Sequence, residues 1–136
     1  MKSGYSGTTL VKKLGIKPGF KILPVYQPEY YYNILVGLPE DIENIEYGSN
    51  QIADFIHLFV KDPKILLHEL PKLKKRLDKN GMLWISWPKK SSKVPTDVDE
   101  SMVRKSGLKV GLVDIKICAV DEIWSGLKFV YRIKDR

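Results

Sequence analysis

A three-layer α/β domain with a mostly parallel sheet and a C-terminal antiparallel β-hairpin is the fold that this sequence predicts, on three observations. Ala53-Asp54-Phe55-Ile56-His57-Leu58-Phe59-Val60 and Met82-Leu83-Trp84-Ile85-Ser86-Trp87 are nearly unbroken apolar runs of strand length, as parallel strands covered on both faces should be. Between them Leu66, Leu70, Leu73 and Leu77 recur on one helical stripe suited to packing on a sheet. Finally, the apolar runs 112–120 and 127–133 are separated by only six residues, too few for a crossover helix, so they must pair antiparallel.

Each element follows from local chemistry. Residues 8–14 suit a short helix with Leu10, Val11 and Leu14 inward and Lys12 and Lys13 outward, stopped by Gly15 and the Lys17-Pro18-Gly19 turn. Residues 20–25 read as a buried strand in which Pro24, having no N–H, belongs at the strand's end or at a bulge. Pro28 and Glu29 suit the first turn of a helix through Val36, closed by Gly37, although Tyr30-Tyr31-Tyr32 and Ile34 also favour a strand. Turn formers then surround a short strand at 45–47.

Asp62 and Pro63 mark an N-cap and a first helical position for the leucine-striped helix. Within it Pro71 would cost roughly 3 kcal/mol in a regular interior, which predicts a kink or a break. Asn80-Gly81 reads as the turn into the next strand. Thr96-Asp97-Val98-Asp99 has the spacing of a capping box for a helix that ends at Gly107. In the last strand Leu127, Phe129, Tyr131 and Ile133 alternate with Lys128 and Arg132, as on a strand with one more exposed face.

The chain has 136 residues, 43% of them hydrophobic, enough for one domain with its own core. No run approaches the roughly 18 apolar residues of a membrane span, and residues 1–8 lack the apolar stretch of a signal peptide, so a soluble cytoplasmic protein without a membrane partner is expected. The single Cys118 offers neither a disulfide nor a zinc cluster and reads as a buried, inert thiol. Residues 71–93 hold eight basic residues against one acid, Asp78, a difference equal to the whole net charge of +7. A helix after a parallel strand returns to the amino edge of the sheet, so this linear cluster should split, Lys72 to Lys79 below and Lys89 to Lys93 above.

Parallel βα units closed by an antiparallel hairpin resemble the class I S-adenosylmethionine-dependent methyltransferase fold, a Rossmann-like architecture. Two full βα units need on the order of 30 residues each, and fewer than twenty separate Val36 from Ala53, so at least one early strand should be shortened or missing. The runs Ser3-Gly4-Tyr5-Ser6-Gly7-Thr8, Lys13-Leu14-Gly15-Ile16-Lys17-Pro18-Gly19, Gly81-Met82-Leu83-Trp84-Ile85-Ser86-Trp87-Pro88-Lys89-Lys90, Gly111-Leu112-Val113-Asp114 and Trp124-Ser125-Gly126-Leu127-Lys128 also resemble those of a small bacterial family catalogued as a domain of unknown function. That likeness implies no catalytic residue.

In an open α/β sheet, ligands bind beyond the carboxyl ends of the strands, where strand order reverses. The methyltransferase resemblance implies a glycine-rich turn after the first strand and an acid after the second that holds ribose hydroxyls. Here the first turn, Pro24-Val25-Tyr26-Gln27-Pro28, has no glycine, and Glu40, Asp41, Glu43 and Glu46 are all candidates for the acid. The expected site is a carboxyl-edge crevice with Trp87, Lys89 and Lys90 holding a small anion, Tyr26 and Gln27 as the opposite wall and Lys61 beside them. His57, inside a strand, reads as a core histidine, and Asp121, Glu122 and Trp124 as hairpin-turn chemistry.

No catalytic residue and no metal site emerge. With the glycine loop missing, the leading expectation is a non-catalytic ligand- or protein-binding domain that uses no cofactor. The alternatives are an S-adenosylmethionine-dependent methyltransferase with a glycine-free loop, and nucleic-acid binding through basic patches.

Overall fold

The computed structural model describes residues 8–136; of the segment 1–8, which its Gly and Ser content leads one to expect as a flexible leader or a lid, residues 1–7 lie outside the described residues. One six-stranded sheet has the order β2-β1-β3-β4-β6-β5. Its strands are β1 (Lys21–Val25), β2 (Glu43–Asn44), β3 (Ala53–Phe59), β4 (Leu77–Pro88), β5 (Leu112–Ala119) and β6 (Trp124–Tyr131). The first four run parallel, and β6 pairs antiparallel with both β4 and β5. The expected three-layer, mostly parallel architecture with its terminal hairpin is therefore present.

Side-chain alternation divides the core into the two expected layers. Ile56 and Leu58 of β3 face α3 (Pro63–Arg76) and α4 (Glu100–Lys109), packing with Leu66, Leu70, Leu73 and Val103. Phe55 and Phe59 face the other way, toward α1 (Leu10–Leu14) and α2 (Tyr31–Ile34), with Val11, Leu14, Tyr31 and Trp84. The Trp84 indole N–H donates to the Leu14 carbonyl at 2.9 Å and fastens α1 to β4.

Local readings that differed from the structure did so for identifiable reasons. Helix α3 runs unbroken through Pro71. Pro71 and Leu67 lie on its exposed side, where water can satisfy the Leu67 carbonyl that loses its amide partner. Asn80-Gly81 is a bulge within β4 and not a turn: between the pairs Ala53↔Leu77 and Phe55↔Met82 the longer β4 loops out opposite Asp54. Gly81 is required there, since a Cβ would lie 2.7 Å from the Asp54 carbonyl oxygen.

Helix α4 is capped by Asp99, whose carboxylate accepts from the Met102 amide at 2.9 Å; Thr96 instead donates to the Lys61 carbonyl. Gly107 does not stop α4. It lets the helix lie on β6, because a Cβ would overlap the Phe129 ring. Pro24 sits inside β1 without harm, because the ladder to β2 ends at Ile22↔Asn44 and no acceptor strand lies beyond. Helix α2 is shorter than expected, and β2 lies at 43–44 and not at 45–47. Cys118 is half-buried rather than buried, with burial holding its thiol above the usual range.

Candidate functional site: the carboxyl edge

A doubly wound sheet runs outward from its first strand through the second to the third on one side, and through the fourth, fifth and sixth on the other. Here the first side stops at β2, and the other continues β3-β4-β6. The missing piece is one strand and its crossover helix. In their place eight residues, 45–52, connect β2 directly to β3. Fully extended they span about 26 Å, enough to descend a strand of seven residues once.

Arg76, at the end of α3, holds this strap through the carbonyls of Glu46, Tyr47 and Gln51 and the Ser49 hydroxyl. Among the described residues no helix is long and apolar enough to cross a membrane.

The reversal of strand order falls between β1 and β3, and the turn leaving β1 does something unusual there. Tyr26 adopts φ 57°, a left-handed conformation that L side chains seldom take. The backbone makes a turn for which glycine is the ordinary choice, using a tyrosine. Its side chain, 56% exposed, donates from its hydroxyl to Glu69 Oε2 at 2.9 Å, which draws the ring toward the α3 layer.

Tyr47 of the strap donates to Glu69 Oε1 at 2.6 Å. Glu69 is only 3% exposed, so one buried carboxylate ties together the exit of β1, the strap and α3. The shared hydrogen bond to Glu69 pushes the Tyr47 phenol up to about 12 and raises Tyr26 as well.

The structure also separates the four acids after β1. Glu40 lies at the amino edge, where its carbonyl accepts from Gly19, and Asp41 is in a left-handed turn before β2. Glu43 pairs in register with Lys21 at the start of β1. Only Glu46 lies just past the carboxyl end of β2, with its side chain exposed.

Trp87, Lys89 and Lys90 do come together, in a cleft of about 620 Å³ between the exit of β4 and the start of α4. Asp97, Asp99 and Glu100 also line it, so the cleft carries both signs of charge. Tyr26, Gln27 and Lys61 stand outside that lining. Gln27 is exposed beside the left-handed turn, and the Lys61 carbonyl anchors the loop that forms the cleft's far wall, accepting from Thr96 and Asp97.

Sequence reasoning missed the Tyr26–Glu69–Tyr47 junction. The one local hint was an acid at 69 on the flank of the Leu66–Leu70–Leu73 stripe. It also missed the work of the three consecutive tyrosines. Tyr30 donates to Asp121, Tyr31 meets His57, and Tyr32 donates to Asn44, so α2 binds the hairpin loop, β3 and β2 at once. Asp121 further caps the Ile123 and Trp124 amides, as its turn reading implied. His57 is a core residue as expected.

No protein-family model and no curated protein matches the sequence. Among solved structures the chain is similar to an S-adenosylmethionine-dependent methyltransferase from Aquifex aeolicus, with a TM-score of 0.59 at 17% identity over 88% of this chain and 86% of that one. It is similar to Aeropyrum pernix fibrillarin in complex with natively bound S-adenosyl-L-methionine, with a TM-score of 0.58 at 15% identity over 86% and 69% of the two chains. The fold is that of the S-adenosylmethionine-dependent methyltransferases, shortened by one strand. The B. subtilis M1A22 tRNA methyltransferase gives a TM-score of 0.57 at 13% identity over 92% of this chain and 66% of that one.

These neighbours correct the expectation that no cofactor is involved, because the same fold holds S-adenosylmethionine in fibrillarin. The residues present fit such a group. The left-handed turn at Tyr26 supplies backbone at the exit of β1, its ring is held toward α3, and Glu46 offers a carboxylate at the exit of the adjacent strand.

Proposed function

We propose that the chain is an S-adenosylmethionine-dependent methyltransferase with a glycine-free cofactor turn. The left-handed Tyr26 carries this reading, because it retains the backbone course that glycine gives at the first strand's exit. The turn at Tyr26 and Gln27 would lie against the cofactor, and the Glu46 carboxylate would accept hydrogen bonds from its ribose hydroxyls. When bound, the cofactor supplies a sulfonium-activated methyl group for transfer to a nucleophilic acceptor. Trp87, Lys89 and Lys90 would position an acceptor with anionic character in the cleft beside it, with the indole shielding one side from water. Trp87-Pro88-Lys89-Lys90, which lines this cleft, ends one of the runs resembling the small bacterial family, and on that likeness we propose that the chain belongs to it.

A ligand that binds only the native state raises its melting temperature, by about 2.7 kcal/mol of added stability at a hundred times Kd. S-adenosylmethionine or S-adenosylhomocysteine at millimolar concentration should therefore raise the Tm by several degrees. Glu46→Ala should remove most of that rise, and the Lys89→Ala, Lys90→Ala double variant should leave it intact. No rise with either compound would overturn the proposal.

A further inference from the structure

A second charged feature lies away from the carboxyl edge, on the α1 side of the hairpin. Helix α1 has five residues and covers β4 through the Trp84–Leu14 bond, leaving the neighbouring face of β5 and β6 partly open. On that face Lys116 and Lys128 are direct partners in the antiparallel ladder. Like charges directly opposite each other destabilise a sheet.

The Lys128 ammonium reaches back toward α1, 3.6 Å from where a Cβ on Gly15 would stand. Lys13 and Lys17, on either side of that glycine, bring two further cations to the same step between helix and sheet. Burial, Lys116 and Lys17 together push the Lys128 ammonium below its usual range, and Lys116 and Lys13 both act on Cys118.

No carboxylate is among the charges acting on either group. The ion pairs among the described residues are all made by arginines, and residues 1–7 contain no acid.

We infer that the step between α1 and the β5–β6 face, lined by Lys13, Lys17, Lys116 and Lys128, is a docking surface for the phosphate backbone of a nucleic acid. Four cations, from α1, the turn that follows it, β5 and β6, repel one another at a cost to the fold, and a closely spaced polyanion relieves that repulsion. Among the described residues the exposed aromatics, Tyr26, Tyr32 and Tyr47, lie elsewhere, so this surface does not carry the aromatic anchor around which protein interfaces are usually organised, and phosphate contacts need only charge and reach. This inference stands whether or not the chain binds S-adenosylmethionine.

The test is fluorescence anisotropy with a labelled single-stranded RNA of about 20 nucleotides and the corresponding DNA, titrated over a range of salt concentrations. Four phosphate contacts to a single strand predict a slope of log Kobs against log salt of about −3. The Lys116→Gln, Lys128→Gln variant should shallow that slope by about 1.4 and weaken binding roughly fifty-fold at about 50 mM salt. Its melting temperature should not fall, because it removes a repulsive pair. A Lys72→Gln, Lys75→Gln variant on exposed positions of α3 changes net charge equally and should keep the affinity of the unaltered protein.

Absence of binding at low salt overturns the inference. An equal loss in the α3 variant does so too, by reducing the effect to net charge, and so does equal affinity for polyglutamate, which would make the surface a receptor for acidic chains.

Discussion

His57 should make the protein lose stability as pH falls from about 7 to about 5, before most carboxylates titrate. The imidazole is fully buried, with Nδ1 2.9 Å from the Tyr31 hydroxyl and Nε2 2.8 Å from the Ser86 hydroxyl. It stacks on Phe59 with ring centroids 4.2 Å apart. Burial holds the Tyr31 phenol well above its ordinary range, so it stays protonated. A neutral imidazole donates from one ring nitrogen and accepts at the other, so the Tyr31 and Ser86 hydroxyls together meet its full hydrogen-bonding complement.

Burial lowers the His57 pKa from 6.5 to about 3. Between those values the unfolded chain takes up a proton that the native state refuses, so stability rises with pH across the window and falls on acidification. At about 1.4 kcal/mol per unit, the full shift corresponds to at most about 5 kcal/mol. Between about pH 7 and about pH 5 the same relation gives a loss of about 2 kcal/mol.

Urea unfolding followed by circular dichroism at four or five pH values measures that loss. In folded protein the His57 ring resonances should not titrate across the same range. A flat stability profile, or a native-state titration centred near 6.5, would refute the reasoning. A His57→Gln variant, if it folds, should abolish the slope while lowering stability at every pH.

Two further substitutions test the packing that holds the site. Gly107→Ala improves intrinsic helix propensity by about 1 kcal/mol but drives a methyl group into the fully buried Phe129 ring, where overpacking costs about 1–3 kcal/mol. The net result in chemical denaturation should be destabilisation, and a more stable variant would mean that α4 stands off the sheet. Tyr47→Phe removes one of the two hydrogen bonds on the buried Glu69 carboxylate and should cost about 1–3 kcal/mol. In a Glu69→Leu background the same change should cost nearly nothing, and equal losses in both backgrounds would break the proposed link between strap and helix.

The parts of the fold legible in the sequence were those whose cause is local. Apolar runs, a leucine stripe and a connection too short for a helix each restrict the backbone within a few residues. The misreadings came where a distant atom decided between two local options. Thr96 and Asp99 both have the chemistry of a cap, and the Lys61 carbonyl claims Thr96. Asn80-Gly81 has the chemistry of a turn, and the Asp54 carbonyl instead makes Gly81 the tight point of a bulge.

Gly107 looks like a stop until Phe129 is seen above it. For the candidate site, the glycine-free turn and the shortened second-strand region were both visible. Their connection was not, because Glu69 lies 43 residues from Tyr26 and 22 from Tyr47, and no periodicity marks a hydrogen bond at that range.

That connection changes the meaning of the two departures from the ordinary cofactor fold. Removing a strand and its crossover helix leaves the flank of α3 without a covering element, and the strap fills it with Ile45 in the core and Tyr47 on Glu69. Replacing glycine at the first turn brings in a ring that would otherwise stand over the strand exits, and the other oxygen of Glu69 draws it aside. A carboxylate buried beside one phenol would retain an oxygen lacking a donor, at a cost comparable to a lost charged hydrogen bond. With both phenols in place each oxygen has its donor, so either departure alone is less favourable than the two together. The strap that stands where a strand and helix would be and the tyrosine turn are therefore coupled through Glu69 at the sheet's carboxyl edge.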